Sequence, residues 1–134
     1  MRQIGKIMLP FITVLCLNCK KDSSSPAPTD IPGSINITEP ITNTTYQNGD
    51  HLRTLGDMTD LNGLSSAKVE IRNKTSGALL YQQTTLTGNE TFFRFSWDWT
   101  VSGITADFIA TVKIIVIDKL SNQVFKEVDV RMIF

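Results

Sequence analysis

A chain of 134 residues has room for one domain, and a sandwich of about 100 residues can bury a workable core without a metal or a disulfide. Its 13 basic and 13 acidic residues balance, so the strong positive field that a nucleic-acid backbone demands is missing and no polyanionic partner is implied. Apolar residues make up 41% of the chain, within the globular range, although a fair share of them precede residue 18 and lie outside any expected fold.

Residues 1–6 carry Arg2 and Lys6, and residues 7–17 form an apolar run broken only by Pro10 and Thr13. A basic head followed by a short apolar stretch is the pattern of an export signal. It falls short of the roughly 20 apolar residues that a bilayer-spanning helix needs, so residues 1–18 are expected to be cleaved off. Cys16 and Cys19 stand at the end of this segment, and no cysteine follows. An exported domain left with one free thiol calls for something that consumes it, and acylation of Cys19 as a new N-terminus would do so. The residues Leu15-Cys16-Leu17-Asn18-Cys19-Lys20-Lys21-Asp22 resemble the lipobox of bacterial lipoproteins, with Cys19 as the modified residue, and their Cys-Lys-Lys-Asp ending resembles lipoproteins of the Bacteroidota. The resemblance implies a diacylglycerol thioether and an amide-linked acyl chain on Cys19, hence a membrane partner through that anchor. Two or more chains hold a protein to a membrane far more firmly than one. The open alternatives are an ordinary signal peptide cut near Cys19 and a Cys16–Cys19 disulfide. A zinc or redox site at this spacing would lack a second ligand pair. Residues 20–33 hold three of the five prolines without apolar periodicity, so 19–33 reads as the lipidated cysteine and a flexible linker. Polar residues directly after the cysteine also resemble signals that direct such lipoproteins to the cell surface. An outer-membrane, surface-exposed location is the expectation this resemblance carries.

From Ser34 onward apolar residues recur with a period of two, and the breaks are rich in Gly, Asn, Asp and Ser, as in a series of half-buried antiparallel strands. A first strand over 34–39 alternates Ile35 and Ile37 and is closed by Pro40, which cannot donate to a ladder. After the Asn48-Gly49-Asp50 turn, 51–59 forms a second strand with Leu52 and Met58 inward. Leu61-Asn62-Gly63 turns again; Ala67, Val69 and Ile71 then face one way and Lys68, Glu70 and Arg72 the other. A hairpin signal over 73–77 leads to a strand over 79–84. Gly88-Asn89 opens a strand over 90–99 with Phe93, Phe95, Trp97 and Trp99 on one parity. The run 107–118 is apolar on both faces and so is expected to be central. A turn over 119–123 precedes 124–134, with Val128, Val130, Met132 and Phe134 inward. About seven short strands and no long amphipathic helix predict an all-β, immunoglobulin-like β-sandwich over 34–134. An open barrel is the alternative.

The succession Thr38-Glu39-Pro40, Gly49-Asp50, Thr59-Asp60-Leu61-Asn62-Gly63-Leu64, Ala67-Lys68-Val69-Glu70-Ile71 and Ile117-Asp118 with Asn122 is similar to small Bacteroidota lipoproteins with one Ig-like domain, a family of unknown function. The similarity spans 35–134; Ser121 stands where those proteins have Gly before the Asn of the last turn. It implies a cell-envelope interaction module and brings no catalytic residue with it.

Chemistry-bearing residues are few. His51 is the single histidine, so a Ser-His-Asp arrangement would have to use it. Gly63-Leu64-Ser65-Ser66-Ala67 approaches a nucleophile elbow but ends in Ala and precedes a strand. A glycosidase pair could be drawn only from Asp57, Asp60 and Asp98, with nothing to place them across a cleft. Calcium is the cofactor to consider, with Asp57, Asp60 and Asp118 as its candidate ligands among the Asp and Asn residues at strand ends. Those residues are also the ones that bond the backbone of turns, and this is the favoured reading. The ring-rich segment 92–99 is expected to form the middle of the core, with Trp99, nearest a loop, reaching the rim as a ligand-binding candidate. Asn36, Asn43, Asn73 and Asn89 match the N-glycosylation pattern, which beside a bacterial lipobox reads as ordinary Asn/Thr-rich strand sequence. The expected function is a non-enzymatic binding or adhesion module for a glycan, a peptide or another envelope protein. A structural subunit packing by β-augmentation against an outer-membrane assembly is the alternative.

Overall fold

A computed structural model describes residues 33–134; the expected signal peptide, Cys16, Cys19 and the linker before Gly33 lie outside the described residues. The alternation of apolar and polar side chains from Ser34 onward folds into eight strands: β1 (Ser34–Glu39), β2 (Thr45–Gln47), β3 (His51–Thr59), β4 (Leu64–Asn73), β5 (Leu79–Leu86), β6 (Phe92–Thr100), β7 (Phe108–Asp118) and β8 (Gln123–Ile133). They form a three-stranded sheet, β1-β3-β6, and a five-stranded sheet, β2-β8-β7-β4-β5. All pairings are antiparallel except the short parallel contact of β2 with β8. This is an immunoglobulin-like β-sandwich in which the fourth long strand, β5, borders the second sheet instead of the first.

The parity expectations hold where strands are long. Leu52 and Met58 on β3, and Ala67, Val69 and Ile71 on β4, are fully buried. On β7, Ala110, Val112, Ile114 and Val116 enter the core, and Ile115 on the opposite face is buried as well. That strand lies between β4 and β8, with Ile115 in register between Lys68 and Phe125, so its two apolar faces match a central position.

Three expectations need correction. The strand count is eight, because Thr45-Tyr46-Gln47 pairs with Arg131–Ile133 in a segment too short to display a period. β5 continues past residue 84 to Leu86, whose neighbour Ser66 on β4 completes the ladder. Phe134 is not inward but 80% exposed; its backbone N–H donates to Asp107 Oδ1 at 3.0 Å, after β8 has ended at Ile133.

Side chains close both flanks of the sandwich. On one flank Trp97 Nε1 donates to Thr85 Oγ1 at 3.2 Å, joining β6 to β5. On the other, Lys126 Nζ donates to the carbonyl of Ile35 at 3.2 Å, joining β8 to β1. Between them Phe95 stacks on Trp97 with ring centroids 5.0 Å apart. Gly56 permits this packing: a Cβ there would fall 2.0 Å from the Asn36 carbonyl oxygen and 2.4 Å from Phe95 Cζ. At the end where the chain enters, Lys119 N–H donates to the Gly63 carbonyl (2.9 Å), Leu64 N–H to Glu90 (2.7 Å) and Asp60 N–H to Thr91 (3.0 Å). Gly63 itself has φ +91° and lies where a Cβ would be 2.8 Å from the Asn89 carbonyl, so a side chain there would meet strain and a clash together.

The outer face of the larger sheet is laced with ion pairs. Lys74 reaches Asp129, which also accepts from Thr111 Oγ1 at 2.8 Å. Lys68 and Arg72 flank Glu70 at 2.6 and 3.1 Å. The Lys74 contact first, then Thr111, holds the Asp129 carboxyl below its ordinary 3.8, and the Lys68 hydrogen bond holds Glu70 below 4.5.

Gly56→Ala is expected to cost about 3 kcal/mol by overpacking against backbone, lowering Tm by roughly 10 °C or more; a thermal melt followed by circular dichroism that leaves Tm unchanged would contradict this contact. Both lowered carboxyls bind protons more weakly in the folded chain than in the unfolded one. Their contribution is therefore complete above their ordinary values and lost as pH falls through the lowered ones. The urea midpoint should hold between about pH 7 and pH 5 and drop below about pH 4, less steeply in Asp129→Asn. A variant that follows the parent slope would count against the Lys74–Asp129 pair as a source of stability.

Candidate functional site

Period-two alternation along β6 sends Phe95 and Trp97 into the core and leaves Trp99, near the strand's end, half-buried. There it stacks on Tyr81 of β5, with centroids 5.8 Å apart and planes 16° from parallel. The pair bridges the two sheets at the flank where β6 and β5 are the outer strands. Tyr81 Oη donates to Gln83 Oε1 at 2.5 Å and lies 3.4 Å from the Asp98 carbonyl. Burial first, and then the Asp98 charge, push the Tyr81 phenol above its ordinary 10.0, so it stays a neutral hydroxyl at physiological pH. On the solvent side of β6, Asp98 Oδ1 meets His51 Nδ1 at 2.8 Å, with both side chains at least half exposed. The corner thus brings the two rings together with the Gln83 amide at the Tyr81 phenol, while the His51–Asp98 pair lies on the outer face of the adjoining strands. Apolar planes ringed by a few fixed polar groups suit a ligand with one flat apolar face and several hydroxyls.

The catalytic alternatives come apart in space. His51 opens β3 and pairs with Thr100, whereas Ser66 pairs with Leu86 and Ile117 at the opposite end, a strand length or about 27 Å away. Asp57 and Asp98 share the outer face of the smaller sheet, but Asp57 is in register with Arg94 and Asp98 with Arg53. Four residues along a strand separate them, about 13 Å, beyond the spacing of a glycosidase pair. Asp60 is buried in its turn.

The calcium candidates do not converge. Asp57 accepts from Asn36 Nδ2 at 3.2 Å on the sheet face. Asp60 Oδ1 accepts the Asn62 N–H at 2.7 Å. Asp118 accepts the Asn122 N–H and Nδ2 at 2.8 and 2.9 Å. Burial alone would raise the Asp118 carboxyl, but these bonds outweigh it and hold it below 3.8. Asp60 and Asp118 do border one cleft, with Gly33 and Asn122, yet each of these two carboxylates bonds the backbone of its own turn. No three His, Cys, Asp or Glu side chains cluster among the described residues in a way that could hold a metal.

Sequence reasoning named Trp99 and missed Tyr81, Gln83, Asp98 and His51 as its surroundings. Tyr81 was accessible in principle, since it shares an inward parity with Gln83 and Thr85 on β5. The approach of β5 to β6 across the two sheets leaves no trace in local periodicity.

No protein-family model matches the chain, and no curated protein is similar enough to count as a relative. Among solved structures it is similar to fibronectin(III)-like modules of Clostridium thermocellum CbhA, with 14% identity, 74% of this chain and 94% of that chain covered, and a TM-score of 0.49. It is also similar to CopC from Methylosinus trichosporium OB3b (10% identity, 75% and 94% covered, TM-score 0.43) and to murine CRIg (9% identity, 76% and 97% covered, TM-score 0.42). These are likenesses of general shape, and the sandwich assignment rests on the strand order itself.

Proposed function

We propose that the chain is a cell-envelope lipoprotein, anchored in the outer membrane by acyl chains on Cys19, whose sandwich is a non-catalytic binding module recognising a glycan at the Trp99–Tyr81 corner. The observation that carries the reading is the half-buried ring pair with Gln83 at its phenol, close to the exposed His51–Asp98 pair on the outer face of the same end. Stacking would supply affinity, and the polar rim would select among hydroxyl patterns. The corner lies at the end where β3 begins and β6 finishes, opposite the entry of the chain at Gly33, so an anchor on Cys19 would leave it facing away from the lipid.

A second reading is supported by the edge strand β5. Leu79-Leu80-Tyr81-Gln82-Gln83-Thr84-Thr85-Leu86 contains no charge and no proline, and among the described residues no strand pairs with it on the side away from β4. Natural edges are ordinarily guarded by charge, proline or brevity, and an unguarded one suits β-augmentation by a partner in a larger envelope assembly.

Cys19→Ala should move the protein from the membrane to the soluble fraction; persistence in the membrane would sink the anchor. Affinity electrophoresis through gels carrying a panel of bacterial and host polysaccharides should retard the parent protein, and Trp99→Ala should weaken the retardation at least about tenfold, the scale of a ring-stacking contact. His51→Ala, which costs no core packing, should weaken it less. Equal mobility of parent and both variants in every gel would remove the glycan reading. For the second reading, gentle detergent extraction should recover a stoichiometric partner that is lost with Thr84→Lys.

A further inference from the structure

Four large apolar side chains are exposed around the end of the sandwich at which the chain enters: Leu61 at 74%, Leu86 at 80%, Leu120 at 56% and Phe92 at 50%. Leu61 and Leu120 are turn-tip residues, a position that sandwich turns normally give to polar side chains. Their turns do not stand alone, because the backbone bonds from Lys119 to Gly63, Leu64 to Glu90 and Asp60 to Thr91 tie three of them into one block. The carboxylates of this end, Asp60 and Asp118, are buried and hydrogen-bonded within their own turns, so that among the tip residues Glu90 and Lys119, of opposite sign, carry the outward charges. The result is a preformed platform with leucines at its points. Gly33 lies in the depression between Leu61 and Phe92.

We propose that this platform is a membrane-facing surface, with Leu61 and Leu120 seated in the interfacial layer of a phospholipid bilayer. The proposal rests on the reading of Cys19 as the acylated residue. Thirteen residues separate Cys19 from Gly33, a span that cannot exceed about 50 Å even when fully extended, and about 20 Å is the average expected of any unstructured chain of that length. The eleven-residue strands β7 and β8 are longer than that average, at roughly 35 Å, so the entry end is the one held at the lipid. A lipid surface suits the platform better than a second copy does, since Leu61 and Leu120 stand on turns that offer no strand edge to pair. Apolar side chains at a rigid tip need no ordering on insertion, and a nearby lipid anchor supplies the high local concentration that makes so small a contact effective.

The test uses the full-length protein, purified from a bacterial envelope and reconstituted into phosphatidylethanolamine–phosphatidylglycerol vesicles. The thiol of Cys19 is consumed by acylation, so a single introduced cysteine can carry an environment-sensitive dye. Dye at Leu61→Cys should show blue-shifted emission in vesicles and several-fold slower quenching by iodide than dye at Ile41→Cys, an equally exposed apolar site on the β1–β2 connection, away from the entry end. Adding Leu120→Glu to the Leu61→Cys protein should reverse much of the shift. Equal quenching at the two sites, with mass spectrometry showing acylated Cys19, would overturn the platform while leaving the anchor in place. An unacylated Cys19 would overturn both.

Discussion

Two sheets about 10 Å apart with no cysteine between residues 33 and 134 to link them stay face to face only if side chains fill the gap. Here the filling is organised by a run of rings on β6. Gly56 gives the backbone of β3 a bare position against which Phe95 lies, and Phe95 stacks on Trp97. Trp97 in turn reaches Thr85 on β5, and Trp99 continues the series onto Tyr81. One alternating segment therefore fixes the separation of the sheets, closes one flank and creates the solvent-facing aromatic corner. Core packing and the solvent-facing aromatic corner share the same residues, so the rings cannot drift in sequence without altering how the two sheets meet.

The strands that could be read from sequence are those with enough length to show alternation. β3, β4 and β7 follow the period closely, and their inward residues are the fully buried ones. β2 escaped because three residues carry no period, and because it pairs in parallel with a strand more than eighty positions away. Phe134 kept the parity of β8 but not its ladder: a strand's last residue has no neighbour to hold it to a face, and Asp107 draws its backbone elsewhere. The aromatic corner was half legible. Trp99 stands out through its own alternation, whereas Tyr81, Gln83 and His51 join it through inter-sheet packing and strand pairing that a linear pattern does not encode.

The two ends of the sandwich differ in chemistry. At the entry end the acidic side chains are folded into their turns and leucines occupy the tips. At the other end charged groups are set at the surface and in the turns, among them His51 with Asp98 and Lys74 with Asp129. Turn-forming Asp residues are common to most sandwiches, and here their inward orientation leaves the turn tips to leucines.

The antiparallel pairing of β1 with β3 bears on mechanics. The chain enters β1 at Ser34, and the opposite end carries the Trp99 corner. A pull applied between the start of β1 and that corner runs parallel to the strands, so the bonds of the β1–β3 ladder share the load in shear instead of opening one by one like a zipper. The connection of β8 to β1 through Lys126 and the Ile35 carbonyl adds a cross-tie at the point where that load enters.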